Sequence, residues 1–111
     1  MGAAARRVVT GLQHGDIWLA ELDKLRPVLV AVRGDVADRI GWVPVVPITS
    51  TSRRLRSHLP LGIEHGLDQQ SWANFDAITT IGRDSFVRRL GSLNGRALER
   101  FCATLAYTFG C

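Results

Sequence analysis

Four consecutive hydroxyl residues, Thr49, Ser50, Thr51 and Ser52, run straight into Arg53 and Arg54. Hydroxyls donate to phosphoryl oxygens, and a guanidinium presents a planar fork that fits two such oxygens at once, so the grouping suits a phosphate-bearing ligand. A hydroxyl-rich turn followed by a solvated charged segment is the plainer reading of the same residues. A second group stands at Trp72, Asn74 and Asp76. Spaced by two, these residues share one face of a strand, where an amide and a carboxylate can read base edges and an indole can stack on a base. A satisfied turn network explains Asn74 and Asp76 nearly as well. Phe75 points the other way and is assigned to the core.

Composition narrows the choice. The 111 residues, 46% hydrophobic and 22% charged, suffice for one domain with a single core. The net charge of +4 leans towards a polyanionic partner. Lys24 is the only lysine, so the positive charge is carried almost wholly by arginine, the side chain suited to bidentate phosphate contacts. Cys102 and Cys111 show neither a disulfide framework nor metal spacing. No carboxylate cluster or His/Cys spacing offers a ligand set, so neither metal nor cofactor is expected. Met1 to Arg7 is too short and too weakly apolar for a signal peptide, and no run approaches a membrane span. A cytoplasmic protein without membrane contact is the expectation.

The elements that must position these groups follow from pattern. Residues 1–13 have no sustained period and read as a flexible extension, residues 14–111 as a single domain. A first strand opens at His14-Gly15-Asp16, and a tight connection over Glu21 to Lys24 leads to a second strand over Arg26 to Val32. The continuous apolar run of that strand places it inside a sheet. Gly34 to Gly41 is a loop or a single helical turn. The third strand, Trp42 to Thr49, carries Pro44 and Pro47 on opposite faces, which predicts a bulge or strong coiling. His58 to Leu61 is a short strand, Gly62 to Gln70 a loop, Ser71 to Ile81 one or two strands, and Phe86 to Leu93 another with a bulge at Gly91. Asn94 caps a last helix with an apolar stripe of Leu98, Phe101, Cys102, Leu105 and Phe109. Trp18 and Trp42 read as core or as dimer interface. The fold class is α+β, mostly β: a small, strongly coiled antiparallel sheet or partly open barrel with a C-terminal helix.

Five pieces in order carry a family resemblance: G-D-I-W-L-A at Gly15, L-R-P-V-L-V at Leu25, V-V-P-I-T-S-T at Val45, S-W-A-N-F-D-A-I-T-T-I at Ser71 and R-R-L-G-S-L at Arg88. Together they resemble the MazF/PemK toxins of type II toxin–antitoxin systems, within the wider PemK/CcdB type of fold. The resemblance implies a sequence-specific endoribonuclease, or mRNA interferase, that cuts single-stranded RNA without metal. It implies a homodimer inhibited by a cognate small antitoxin whose acidic, apolar tail lies in the RNA groove. Arg26 and Thr49 match the positions that carry chemistry in the family. The chain departs from the family in two places. Its connection between the first two strands is very short where many members have a longer, Gly-rich loop, and Ala77 follows Asp76 where others often have a polar side chain.

Such a nuclease lets the ribose 2′-OH attack the adjacent phosphorus and expel the next 5′ oxygen, leaving a 2′,3′-cyclic phosphate and a 5′-hydroxyl. The protein has to align the three atoms and stabilise charge on the phosphoryl oxygens. Arg26, on a strand stiffened by Pro27, is suited to the second task, and Thr49 can donate to a phosphate oxygen or orient the 2′-OH. Ser50, Thr51, Arg53, Arg54, Trp72, Asn74 and Asp76 are the candidate RNA-binding residues. Without the resemblance, Arg26 fits an ion pair with Asp23 or Glu21 better than a ligand site. His14, His58 and His65 can titrate near neutrality but read as surface or loop histidines, and no general base is assigned. Two other functions stay open: a gyrase poison of the CcdB type, acting through an aromatic C-terminal end such as Tyr107 and Phe109, and a non-catalytic RNA-binding module.

Overall fold

Val28, Leu29 and Val30 are fully buried in succession, as a strand covered on both faces must be. The computed structural model describes residues 9, 11–51 and 55–110. In chain order it comprises β1 (Asp16–Glu21), β2 (Leu25–Val30), α1 (Gly34–Ala37), β3 (Trp42–Thr49), β4 (His58–Leu61), β5 (Ser71–Asn74), β6 (Thr79–Gly82), β7 (Phe86–Ser92) and α2 (Gly95–Thr108). Single 3-10 turns fill Ile63–His65, Phe75–Ala77 and Arg83–Ser85. The strands form one open antiparallel sheet in the order β4-β5-β3-β2-β1-β7, with β6 also paired to β3. Among the described residues, no helix is long and apolar enough to cross a membrane.

The two prolines of β3 are accommodated by a change of partner instead of a bulge. On one side β3 pairs with β2; on the other, Trp42–Val45 pair with β6 and Ile48–Thr49 with β5. Pro47 falls between the last β6 pair and the first β5 pair, where no ladder needs its missing N–H. Pro44 accepts a bond from the Ala31 backbone at 3.1 Å, one residue beyond β2. The bulges lie in β7: the register against β1 slips twice, which makes Leu90 and Val87 extra residues. The glycine beside the first slip, Gly91, is there for a close approach. A methyl group on it would collide with the His65 carbonyl, and one on Gly66, whose φ is +94°, would collide with that of Leu90.

Period-two alternation gives each face of the sheet its own core. One face carries Ile17, Leu29, Val46, Ile48, Leu59, Leu61 and Ala73 and is closed by Phe75 and by Phe101 of α2. The other carries Ala20, Val28, Val30, Val43 and Val45, closed by Ile81, Phe86 and Ala37 of α1. Val9 and Leu12, within the stretch read as an extension, are 6% and 0% exposed and belong to this second core. Arg83 ties Val9 to α1, donating to the carbonyls of Val9 and Ala37.

Helix α2 begins after Asn94, which caps with its backbone carbonyl and makes no side-chain cap bond. The predicted stripe is narrower than the sequence suggested. Ala97, Leu98, Phe101 and Leu105 face the sheet, whereas Cys102 is exposed and Phe109 is 56% exposed. Cys102 and Phe109 sit at the margin of the 3.6-residue stripe, where a one-helix cover leaves side chains in water. Trp18 packs edge-on against Phe86 with ring centroids 5.8 Å apart, but Trp42 is 67% exposed and is no part of the core.

Phe101 sits against the rings of Phe75 and His14, so Phe101→Ala should cost about 3–5 kcal/mol in denaturant unfolding. Cys102→Ser should stay within about 0.5 kcal/mol of the parent. Comparable losses from both would contradict the position of the helix.

Candidate active site

Residues opposite one another in an antiparallel ladder share a face, as do residues two apart on a strand. Val28 is opposite Pro47, Thr49 opposite Trp72, Trp72 opposite Pro60, and Asn74 opposite His58. Arg26, Thr49, Trp72, Asn74 and His58 therefore lie on the face that carries the second core. That core covers only the half of the face next to β6 and α1. The other half, from Arg26 across the end of β3 to β4, is left as a groove.

Two clefts meet at the end of β3, one in this groove and one that reaches round to the opposite face of the sheet. One, of about 350 Å³, is lined by Asp23, Arg26, Pro47, Thr49, Thr51, His58 and Asn74, together with Leu22 and Ile48. The other, of about 190 Å³, has Lys24, Pro27, Ser50, Leu67 and Ser71 among its lining residues and shares Arg26, Ile48 and Thr49 with the first; Pro27, Leu67 and Ser71 belong to the face of the first core. Arg26 and Thr49 thus form the divide between two depressions. The Thr49 hydroxyl accepts a bond from the Thr51 N–H at 3.2 Å. With that lone pair committed, its own O–H is available as a donor towards the groove. A turn of this kind at a strand end keeps the β-branched side chain stiff.

Arg26 is held by Asp23 from the short turn between β1 and β2. Its Nε donates to Oδ1 at 2.9 Å and its Nη2 to Oδ2 at 3.3 Å, a two-pronged contact with a planar anion. The bond from Arg26 holds the Asp23 carboxyl below the ordinary carboxylate range, and the same bond raises Arg26 above its ordinary value. The pair is therefore intact above the lowered Asp23 pKa and is lost as pH falls through it. Asp23 stands in solvent, so the contribution to fold stability is screened. Its effect is on the fork of Arg26, oriented and already engaged as a phosphate would engage it.

The structure brings together Arg26, Thr49, Ser50, Thr51 and Asn74. Trp72 is the ladder neighbour of Thr49 on the same face but lines neither cleft. Asp76 is displaced from the strand face predicted for it: β5 ends at Asn74 and Asp76 stands in the following 3-10 turn. Asn74 Oδ1 accepts from the Asp76 N–H at 3.0 Å, and Ser57 Oγ donates to Asp76 at 2.5 Å, so the turn network is present. Arg53 and Arg54 lie outside the described residues. Phe75 is buried, as its parity required.

Of the three histidines only His58 departs from its sequence reading, whereas His14 and His65 stand in turns outside the strands. His58 is 8% exposed at the start of β4 and lines the larger cleft. Its parity with Pro60 in H-L-P-L marks it as facing opposite to Leu59 and Leu61, but only the pairing with Asn74 shows which face that is. His65 Nδ1 accepts the Gly62 N–H at 3.1 Å. His14 stacks on Phe101, and burial pushes its pKa down. Among the described residues no group of three or more His, Cys, Asp or Glu side chains is placed to share a metal ion.

The model of the PemK-like, MazF-like toxins of type II toxin–antitoxin systems matches residues 13–109. The chain belongs to this family. It is similar to the probable endoribonuclease MazF2 of Mycobacterium tuberculosis, with 41% identity over 102 residues that cover 90% of this chain and 100% of that protein. Endoribonuclease MazF3 of the same organism is 39% identical over 77 residues, 69% of this chain and 75% of its own. Among solved structures, the M. tuberculosis toxin MazF-mt6 superposes with a TM-score of 0.81 at 33% identity, covering 86% of this chain and 96% of that one. The open antiparallel sheet with one C-terminal helix is thus a PemK/MazF-type fold, and the groove lies on its exposed half-face.

The Asp23–Arg26 contact can be tested directly. In Arg26→Ala the Asp23 carboxyl should titrate at higher pH, back towards the ordinary carboxylate value, when followed by carbon-detected NMR. An unmoved titration would show that the pair is absent in solution.

Proposed function

We propose that this MazF-like toxin is a sequence-specific, metal-independent endoribonuclease of single-stranded RNA, acting in the cytoplasm as one half of a toxin–antitoxin pair. The observation that carries the reading is the placement of Arg26 and Thr49 together on the divide between two clefts. The similarity to proteins named endoribonucleases supports it. An extended strand of RNA laid across the ends of β2 and β3 has its scissile phosphate on the divide and its flanking nucleotides in the two clefts. The phosphate displaces Asp23 from Arg26, exchanging one two-pronged anion for another. The 2′-OH then forms a bond to phosphorus while the bond to the 5′ oxygen breaks. The 2′-OH proton is lost, the departing oxygen gains one, and the products are a 2′,3′-cyclic phosphate and a 5′-hydroxyl.

Arg26 stabilises the charge on the phosphoryl oxygens, and Thr49 donates its free O–H to one of them. Ser50 and Thr51 bind the backbone on either side, and Asn74 reads a base edge in the larger cleft, with Trp72 as a stacking surface beside it. Arg53 and Arg54 follow the neighbouring phosphates, and Asp76 acts by fixing Asn74. The cognate small antitoxin occupies the same groove, its acidic groups taking the place of phosphates. The toxin acts as a homodimer, for which exposed Trp42 offers an apolar contact.

Incubation with a long RNA of known sequence in EDTA should give cuts at a short recurring motif with 5′-hydroxyl ends. Arg26→Ala and Thr49→Val should each lower the rate by about 10²-fold or more, with Thr49→Ser retaining much of it. Cleavage by Arg26→Ala at the parental rate, or ends bearing 5′-phosphate, would overturn the reading.

A further inference from the structure

His58 is more than nine-tenths buried, yet it lines the same cleft as Arg26, Thr49 and Asn74. Its Nδ1 is sealed from solvent and has no hydrogen-bond partner among the described residues. The ring can therefore reach a ligand only through its other edge, that of Nε2. Its backbone is fixed on both sides. The His58 N–H donates to Leu55 O at 3.0 Å, the Ser57 carbonyl accepts from Phe75 at 2.9 Å, and the Ser57 hydroxyl is bonded to Asp76.

An orphaned, buried nitrogen decides between tautomers. A proton on Nδ1 would be a buried donor with no acceptor, the costlier of the two defects, whereas a bare lone pair is tolerated more often. The other groups facing His58 do not reverse this. Asp23 is already bonded to Arg26, Asp76 is engaged by Ser57, and Asn74, Thr49 and Thr51 do not titrate. A general base at Nε2 needs the proton on Nδ1 with an acceptor to hold it, as a catalytic histidine has. That acceptor is missing among the described residues.

We propose that His58 is a third donor of the site: a neutral imidazole, protonated on Nε2, that bonds a non-bridging oxygen of the phosphate held by Arg26 and Thr49, and not the base that removes the 2′-OH proton. This rests on the nuclease reading given above. It assigns to a buried residue of β4 a share in holding the negative charge that develops during cleavage, and leaves the 2′-OH proton to another acceptor.

The test has two readouts. Long-range nitrogen–proton NMR of the unmodified protein at pH 7 should show Nδ1 unprotonated and Nε2 bearing the proton. Protonation at Nδ1 overturns the proposal, whether or not the protein cuts RNA. In cleavage assays His58→Gln, whose amide nitrogen can donate from nearly the same place, should stay within about tenfold of the parent and keep its pH profile. His58→Ala should fall by about 10²–10³-fold. His58→Gln as slow as His58→Ala, with the acidic limb of the profile gone, makes His58 the base; His58→Ala as fast as the parent makes it a bystander. Either result overturns the proposal. A parent no faster than Arg26→Ala would instead overturn the nuclease reading, and the NMR result would still decide the tautomer.

Discussion

Strand β3 divides its outer side between two partners, β6 along Trp42–Val45 and β5 along Ile48–Thr49, and the functional face follows from that division. Where β6 pairs, the chain stays close to α1 and the residues before β1, and the apolar side chains of that half-face are buried as a second core. Where β5 pairs, the sheet is extended by β4 and the same face is left as the groove. Had β6 continued along the whole of β3, Thr49 would have ended under a core. Pro47 enforces the change, because a residue without an N–H belongs where one ladder has ended and the next has not begun. A strand that is structural at one end and chemical at the other needs such a break.

The groove is also electrostatically prepared. The short turn between β1 and β2 places Asp23 three residues before Arg26, so the guanidinium is aimed and its charge is balanced before a ligand arrives. A phosphate gains only the difference between two anions at this position. The arrangement favours preorganisation over raw affinity, as suits a site that must stabilise a transition state. Thr49 is prepared in the same sense, its acceptor capacity engaged by the backbone of Thr51 and its donor left free.

Much of this was legible in the sequence wherever a residue's role depends on local pattern. The run over 26–32 marked an inner strand and 42–49 a further strand, the alternation around Phe75 put that ring in the core, and the family motifs pointed to Arg26 and Thr49 before any geometry. What depends on pairing register was not legible. Parity in H-L-P-L shows that His58 faces opposite to Leu59, but only the ladder with Asn74 brings it into the cleft with Arg26. Asp76 was misplaced for the converse reason. Its spacing from Asn74 is that of a strand, but the Asn74 side chain bonds the Asp76 N–H and ends the strand there, a competition with the ladder that asparagine often wins. Leu12 and Val9 looked like part of a loose extension because two apolar residues without a period give no pattern. Their burial depends on α1 and on Arg83, which lies far along the chain and ties Val9 to Ala37.

A rival surface exists. A cleft of about 240 Å³ on the α2 side is lined by Arg96 and Arg100 with Glu64, His65 and Gln70, and basic residues there could also attract RNA. The measurement that decides most directly is a map of backbone amide shifts on adding an oligonucleotide made uncleavable by 2′-deoxy substitution. Binding on the exposed half-face predicts shifts at Arg26, Thr49 to Thr51, His58 and Asn74, with Arg96 and Arg100 unmoved. Shifts centred on Arg96 and Arg100 would contradict the location of the site and the account built on it.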